Sequence, residues 1–172
     1  MDFFEILKYV LPALIVFLTV WVIVAKYFTS MEKIRKVDQM IDNKRIILPL
    51  RLQAYERVIL FLERISPESL VMRVNIPGLT ARQLQGEILA SIRAEFEHNL
   101  SQQLYISPEG WERVKNARGL TIKLVNTAAD QVKPDAPGTN LSSKMLDMIM
   151  EADKAPTGEA IEFLKKEVQT LF

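Results

Sequence analysis

The sequence predicts an all-α protein: one N-terminal transmembrane helix, a helical stalk, and a cytoplasmic multi-helix bundle with a short helical tail. Three observations predict it. A charge-free apolar run lies near the start of the chain. Apolar residues then recur at three- and four-residue steps, the period of a helix face. No stretch alternates apolar with polar residues as a half-buried strand would. The chain has 172 residues, 49% of them hydrophobic and 25% charged, so it can bury a core.

The first element is Tyr9 to Ala25, "YVLPALIVFLTVWVIVA", 17 residues without a charge. As a helix it measures roughly 25 Å, against a bilayer core of about 30 Å. Phe3, Phe4, Ile6 and Leu7 lengthen it, and Lys8 and Lys26 can extend toward head groups. Tyr9, Trp21, Tyr27 and Phe28 supply aromatic bulk near the expected interfaces. Pro12 stands near the start, where a missing N–H is tolerated best. A cleaved signal peptide fits less well. Asp2 and Glu5 offset Lys8, and Ile23-Val24-Ala25 is a poor small-residue cleavage site.

Orientation follows from the flanks. Lys26, Lys33, Arg35 and Lys36 follow the span against a single Glu32, while the side chains before it sum to minus one. The positive-inside rule therefore expects the N-terminus outside and the body in the cytoplasm, on the inner membrane. The same four cations form a flank that can face anionic lipid.

The remaining elements follow in order. Residues 29–48 read as a stalk, with Met31, Ile34 and Ile41 at helical steps. Asp38 and Arg45 on that seam weaken a coiled-coil pairing with a second copy. Pro49 is expected to interrupt, and residues 49–133 form the helical domain. Tyr55, Val58, Ile59, Leu62 and Ile65 mark its first helix face. Ser66-Pro67-Glu68 is a start signal: N-cap, proline at the first helical position, acid near the positive helix end. Pro77-Gly78 is a turn pair, and Thr80 to Gln83 has the spacing of a capping box.

A helix from about Ala81 to Tyr105 carries Leu84, Ile88, Ile92, Phe96, Leu100 and Leu104 at strict four-residue steps. Each step turns the stripe by about 40°, so the helix is expected to be central and clasped by several neighbours. Ser107-Pro108-Glu109 starts the next helix, with Trp111, Val114, Ile122, Val125, Ala129 and Val132 as its face. Ile-Ser-Pro-Glu thus occurs at 65–68 and 106–109, which independent helix capping explains without a duplication. "KPDAPGTN", 133–140, reads as a linker. Residues 134–172 then hold two small amphipathic helices, expected as a mobile tail.

Chemistry is thinly signposted. A formal net charge of +1 argues against a general nucleic-acid binder. The absence of cysteine excludes disulfides, thiolate sites and cysteine nucleophiles. Glu95 and the sole histidine, His98, have the Glu-x-x-His spacing of di-metal bundles. Such a site needs two of these pairs and two further glutamates, so one histidine cannot complete it within one chain. Glu95, His98 and Gln102 read instead as a polar border at a helix junction, available to a neighbouring helix or a partner. No Gly-x-Ser-x-Gly elbow and no Gly-rich phosphate loop is present.

Three blocks, "LPALIVFLTVW", "RLQAYERVILFLERISPESLVMRV" and "IRAEFEHNLSQQLYIS", resemble in that order an uncharacterised family of small single-pass membrane proteins from Bacteroidota. The resemblance spans about Met1 to Met150, implies the membrane anchor, and carries no activity or functional residue onto this chain. The expectation is a non-catalytic scaffold or accessory subunit, without a cofactor, that meets protein partners and lipid at the inner membrane. Two alternatives stand beside it: an enzyme or metal-binding helical protein built on Glu95 and His98, and a homo-oligomer assembled through span and stalk.

Overall fold

The computed structural model describes the backbone of residues 3–74, 76–152 and 154–171. Within helix it describes the side chains of all but residues 3–13, 29–30 and 32–44. Among the described residues the regular elements are all helices: α1 (Phe3–Arg64), α2 (Pro67–Val74), α3 (Ala81–Asn99), a 3-10 helix (Leu100–Leu104), α4 (Pro108–Asp130), α5 (Gly138–Glu151) and α6 (Gly158–Gln169). No strand occurs among them, only a single bridge between Thr80 and Pro137. The chain divides into two compact units, Met1–Ile47 and Leu48–Phe172.

In the first unit, Leu14–Phe28 is helical and its side chains are exposed on every side of the axis. Among the described residues no helix is long and apolar enough to cross a membrane. The expected span lies partly outside them, since side chains 9–13 are not described. Of the basic flank, Lys26 is described and exposed, whereas the side chains of Lys33, Arg35 and Lys36 lie outside the described residues.

The second unit has one apolar core. Val58, Leu62, Ile65, Leu70, Ile88, Ile92, Val114, Val125, Leu141, Met145 and Leu164 are all at 0% exposure. They come from α1, its C-terminal boundary and α2 to α6, so each helix closes the core for the others. The expected break at Pro49 does not occur; α1 runs through it. A proline removes one amide donor, and the turns after it are held by burial of Ala54, Tyr55, Val58, Phe61 and Leu62.

The helix starts follow local chemistry. Thr80 Oγ1 accepts from Gln83 N at 3.3 Å while Gln83 Oε1 accepts from Thr80 N at 3.0 Å, a complete capping box. Ser107 Oγ accepts from Gly110 N at 2.9 Å, with Pro108 at the first helical position of α4. Gly78 has φ +89°, which closes the turn before α3 in a region that suits glycine.

Two expectations are corrected here. Residues 134–172 are not a mobile tail. The 133–138 segment lies along the start of α3, where Ala136 O accepts from Ala81 N at 2.8 Å and Pro134 O from Arg82 N at 3.2 Å. Leu79 O in turn accepts from Gly138 N at 2.8 Å. With Gln83 Oε1 taking Thr80 N and Thr80 Oγ1 taking Gln83 N, the four amides at the start of α3 that lack an intrahelical partner are satisfied. Beyond this strap, α5 and α6 bury Leu141, Met145, Ile161 and Leu164.

The second correction concerns the end of α3, which stops at Asn99 rather than near Tyr105. Leu84, Ile88 and Ile92 are buried, but Leu100 is 41% and Leu104 79% exposed. A four-residue stripe drifts about 40° per step in an α-helix, and the tighter 3-10 winding of Leu100–Leu104 turns it further, so its last two members have left the neighbours that cover its first three. α3 does pack against α2, α4 and α5, as the drift predicts.

Candidate functional site

Glu95 and His98 lie in the last two turns of α3, on the side facing α1. The i, i+3 spacing brings both to one cleft of about 210 Å³, lined also by Arg57, Leu60, Phe61, Arg64 and Asn99. Gln102 is not part of it: it stands on the 3-10 helix and donates from Nε2 to Ser101 Oγ at 3.2 Å.

Glu95 is the hub. Arg64 Nη1 donates to both carboxylate oxygens, at 3.2 and 3.3 Å. Arg73 Nη1 donates to Oε1 at 2.9 Å, and its Nη2 reaches Ser91 Oγ at 3.0 Å and Arg64 O at 3.4 Å. One carboxylate thereby ties α1, α2 and α3. The Glu95 side chain is 15% exposed, Arg73 36% and Arg64 60%. Both oxygens of the Glu-x-x-His glutamate are engaged by guanidinium groups. Among the described residues no group of three or more His, Asp or Glu is placed to hold a metal ion.

The arginines that organise the cleft were not legible as site residues. Arg64 and Arg73 stand 31 and 22 positions from Glu95. The available signal was Arg57, Leu60 and Arg64 at three- and four-residue steps, one face of α1.

The triad yields a stability test. Glu95→Ala is expected to cost about 1–2 kcal/mol, because it leaves two guanidiniums facing each other, with solvent screening the more exposed Arg64. Urea denaturation measures it. In a double-mutant cycle with Arg73→Ala, a coupling near zero would show that the ion pair contributes nothing.

A second, larger groove of about 570 Å³ lies between the end of α3, the 3-10 helix and the start of α4. Its floor is Phe96 stacked on Trp111, ring centroids 5.8 Å apart, with the Arg118 guanidinium 4.3 Å above the Phe96 ring. Lys115 on its rim is paired with Glu112 at 2.5 Å.

A third polar feature is internal. Tyr55 on α1 is buried at 1% exposure, and its hydroxyl has no hydrogen-bond partner among the described residues; one carboxylate oxygen of Glu167 on α6 is buried in the same way. Burial pushes the Tyr55 pKa above 10.0, the nearby Glu167 carboxylate pushes it further, and Arg51 opposes both. A raised phenol pKa means that the neutral form stabilises the fold. That contribution is complete below pH 10 and is lost as pH climbs through the folded-state value. Tyr55→Phe is therefore expected to keep or raise stability at neutral pH and to flatten the decline above pH 10. Thermal unfolding midpoints across pH 8–11.5 check this; an unchanged alkaline slope in the variant would contradict it.

Comparison with known proteins adds a family and nothing nearer. A family model described as a family of unknown function, DUF7935, matches residues 1–171. It extends past Met150, so the C-terminal helices belong to the shared pattern. No curated protein and no solved structure matches the chain.

Proposed function

The chain belongs to the family of unknown function DUF7935, and since that description names no chemistry, we propose from the residues themselves that it is a membrane-anchored, non-catalytic helical adaptor. Its N-terminal helix holds it in a membrane, and its helical module offers surface clefts to protein partners on the cytoplasmic face.

The observation that carries this reading is the run Leu14–Phe28. Leu14 is 53% exposed, Phe17 64%, Trp21 65% and Ile23 65%, with apolar neighbours on all sides of the axis. A helix apolar all round needs an apolar surrounding, and lipid supplies one. Tyr9 to Ala13 continue the same pattern in the sequence. Orientation rests on Lys26, Lys33, Arg35 and Lys36 after the run. The adaptor role is supported by the module itself, whose interior is filled with apolar side chains and whose two described clefts open at its surface.

The test uses the full chain expressed in a bacterium. It should remain in the membrane pellet through an alkaline carbonate wash. The chain has no cysteine, so Lys154→Cys places a single thiol in the module. That thiol should resist a membrane-impermeant maleimide in intact cells and react in inverted vesicles. Recovery in the supernatant would overturn the anchor, and labelling of intact cells would overturn the orientation.

A further inference from the structure

We propose that the cleft between α1 and α3 is an oxyanion site, taking a phosphate-class group through Arg57, Arg64 and His98. The proposal goes beyond the adaptor reading and stands on the cleft alone.

The cleft has more donors than its own acceptors use. Its only carboxylate, Glu95, is bonded by Arg64 and Arg73. Arg64 spends Nη1 on that pair, and its Nε and Nη2 have no bond to another described residue. Arg57 and His98 line the same space, and neither bonds another described residue. Among the lining residues, Arg57 and Arg64 stand against Glu95 alone, so the cleft carries +1 with His98 left aside, and Arg73 reaches Glu95 from outside the lining. Both oxygens of Glu95 are already engaged, so it serves as a brace rather than as a competitor.

Geometry adds to charge. Glu95, itself braced by Arg73, orients the Arg64 guanidinium through Nη1, so less of its rotamer freedom is left to lose when an anion arrives. Guanidinium groups present planar, forked donors suited to phosphate oxygens. Leu60 forms an apolar wall and is 53% exposed. A phosphate ester with a small apolar substituent therefore suits the cleft better than the bare ion does. Glu56 and Glu63 on α1 and Glu97 on α3 are exposed and line none of it.

The sole histidine makes the test direct. Full-length protein in a neutral-detergent micelle, with histidine labelled at the ring, gives one imidazole signal. Inorganic phosphate and phenyl phosphate are titrated at constant ionic strength. Both are expected to shift the His98 resonance saturably, phenyl phosphate at the lower concentration. Arg57→Ala should weaken binding by about tenfold, the worth of one hydrogen bond to a charged group. Arg93→Ala, an exposed arginine of α3 outside the lining, should change it less than about twofold if screened surface charge contributes little. Neither residue has a bonded partner among the described residues, and dispersion of the amide spectrum verifies each fold. A linear, unsaturated shift overturns the proposal, as does equal weakening by Arg57→Ala and Arg93→Ala. Carbonate extraction and the labelling pattern are independent of this titration, so either proposal can fail without the other.

Discussion

Leu164→Ala is expected to lower the unfolding free energy by about 2–5 kcal/mol, the cost of a cavity at a fully buried leucine. Leu164 is at 0% exposure on α6, the last helix of the chain. Its neighbour is Gly110 at the start of α4. A Cβ there would lie 3.1 Å from Leu164 Cδ2, so the two helices are in tight contact at that point. Domain stabilities run to about 5–15 kcal/mol, so the loss is a large fraction of the total. Urea denaturation should show a lower midpoint with an unchanged slope. Leu104→Ala is the control, because Leu104 is 79% exposed; it should stay within about 0.5 kcal/mol. If Leu164→Ala behaved like the control, α6 would be the loose tail that the sequence suggests.

Removing residues 1–28 is expected to move the protein from the membrane pellet to the supernatant. Leu14–Phe28 contains ten Leu, Ile, Val or Phe residues. At roughly 0.3–0.6 kcal/mol each on an insertion scale, they favour the bilayer by about 3–6 kcal/mol, before Tyr9–Ala13 add their share. The module should keep its fold, since the core residues of the second unit all lie beyond Ile47. Its unfolding midpoint in urea should match that of the full chain. Persistence of the shortened protein in the pellet would point to a second attachment through the module. A collapse of its stability would show that the first unit supports the second.

How much of this was written in the sequence depends on distance along the chain. Helix starts were legible because their chemistry is local. Thr80 with Gln83, and Ser107 with Pro108 and Gly110, sit within one turn of each other. The two small amphipathic helices after the 133–140 segment were legible too, and as α5 and α6 they bury Leu141, Met145, Ile161 and Leu164. The face of α4 was read partly wrong. Trp111, Val114 and Val125 are buried as expected, but so is Thr121, whose hydroxyl bonds Ala117 O at 3.0 Å and needs no water. Polar residues that satisfy themselves are invisible to a hydropathy pattern.

The candidate site was half legible for the same reason. Glu95 and His98 share a helix face, and spacing alone brings them together. Arg64 and Arg73 arrive from other helices, as does Arg57, and no periodicity links Glu95 to positions 22 and 31 residues away or further. The 133–138 segment failed differently. Its prolines, glycine and polar residues read as a flexible connection, yet two of its carbonyls have fixed partners at Ala81 and Arg82. Composition records what a segment could do alone and says nothing of amides waiting elsewhere.

That strap also sets the order in which the module can be finished. The bond from Ala81 N to Ala136 O closes a loop of 55 residues, which costs roughly 3–4 kcal/mol in chain entropy. At synthesis rates of about 5–20 residues per second, α3 precedes its strap by roughly 3–11 seconds. Throughout that interval the amides of Ala81 and Arg82 have only water, and α3 lacks the cover of α5. A nascent chain paused within α4 therefore presents an unfinished apolar face, which is where a chaperone or a protease would meet this protein first.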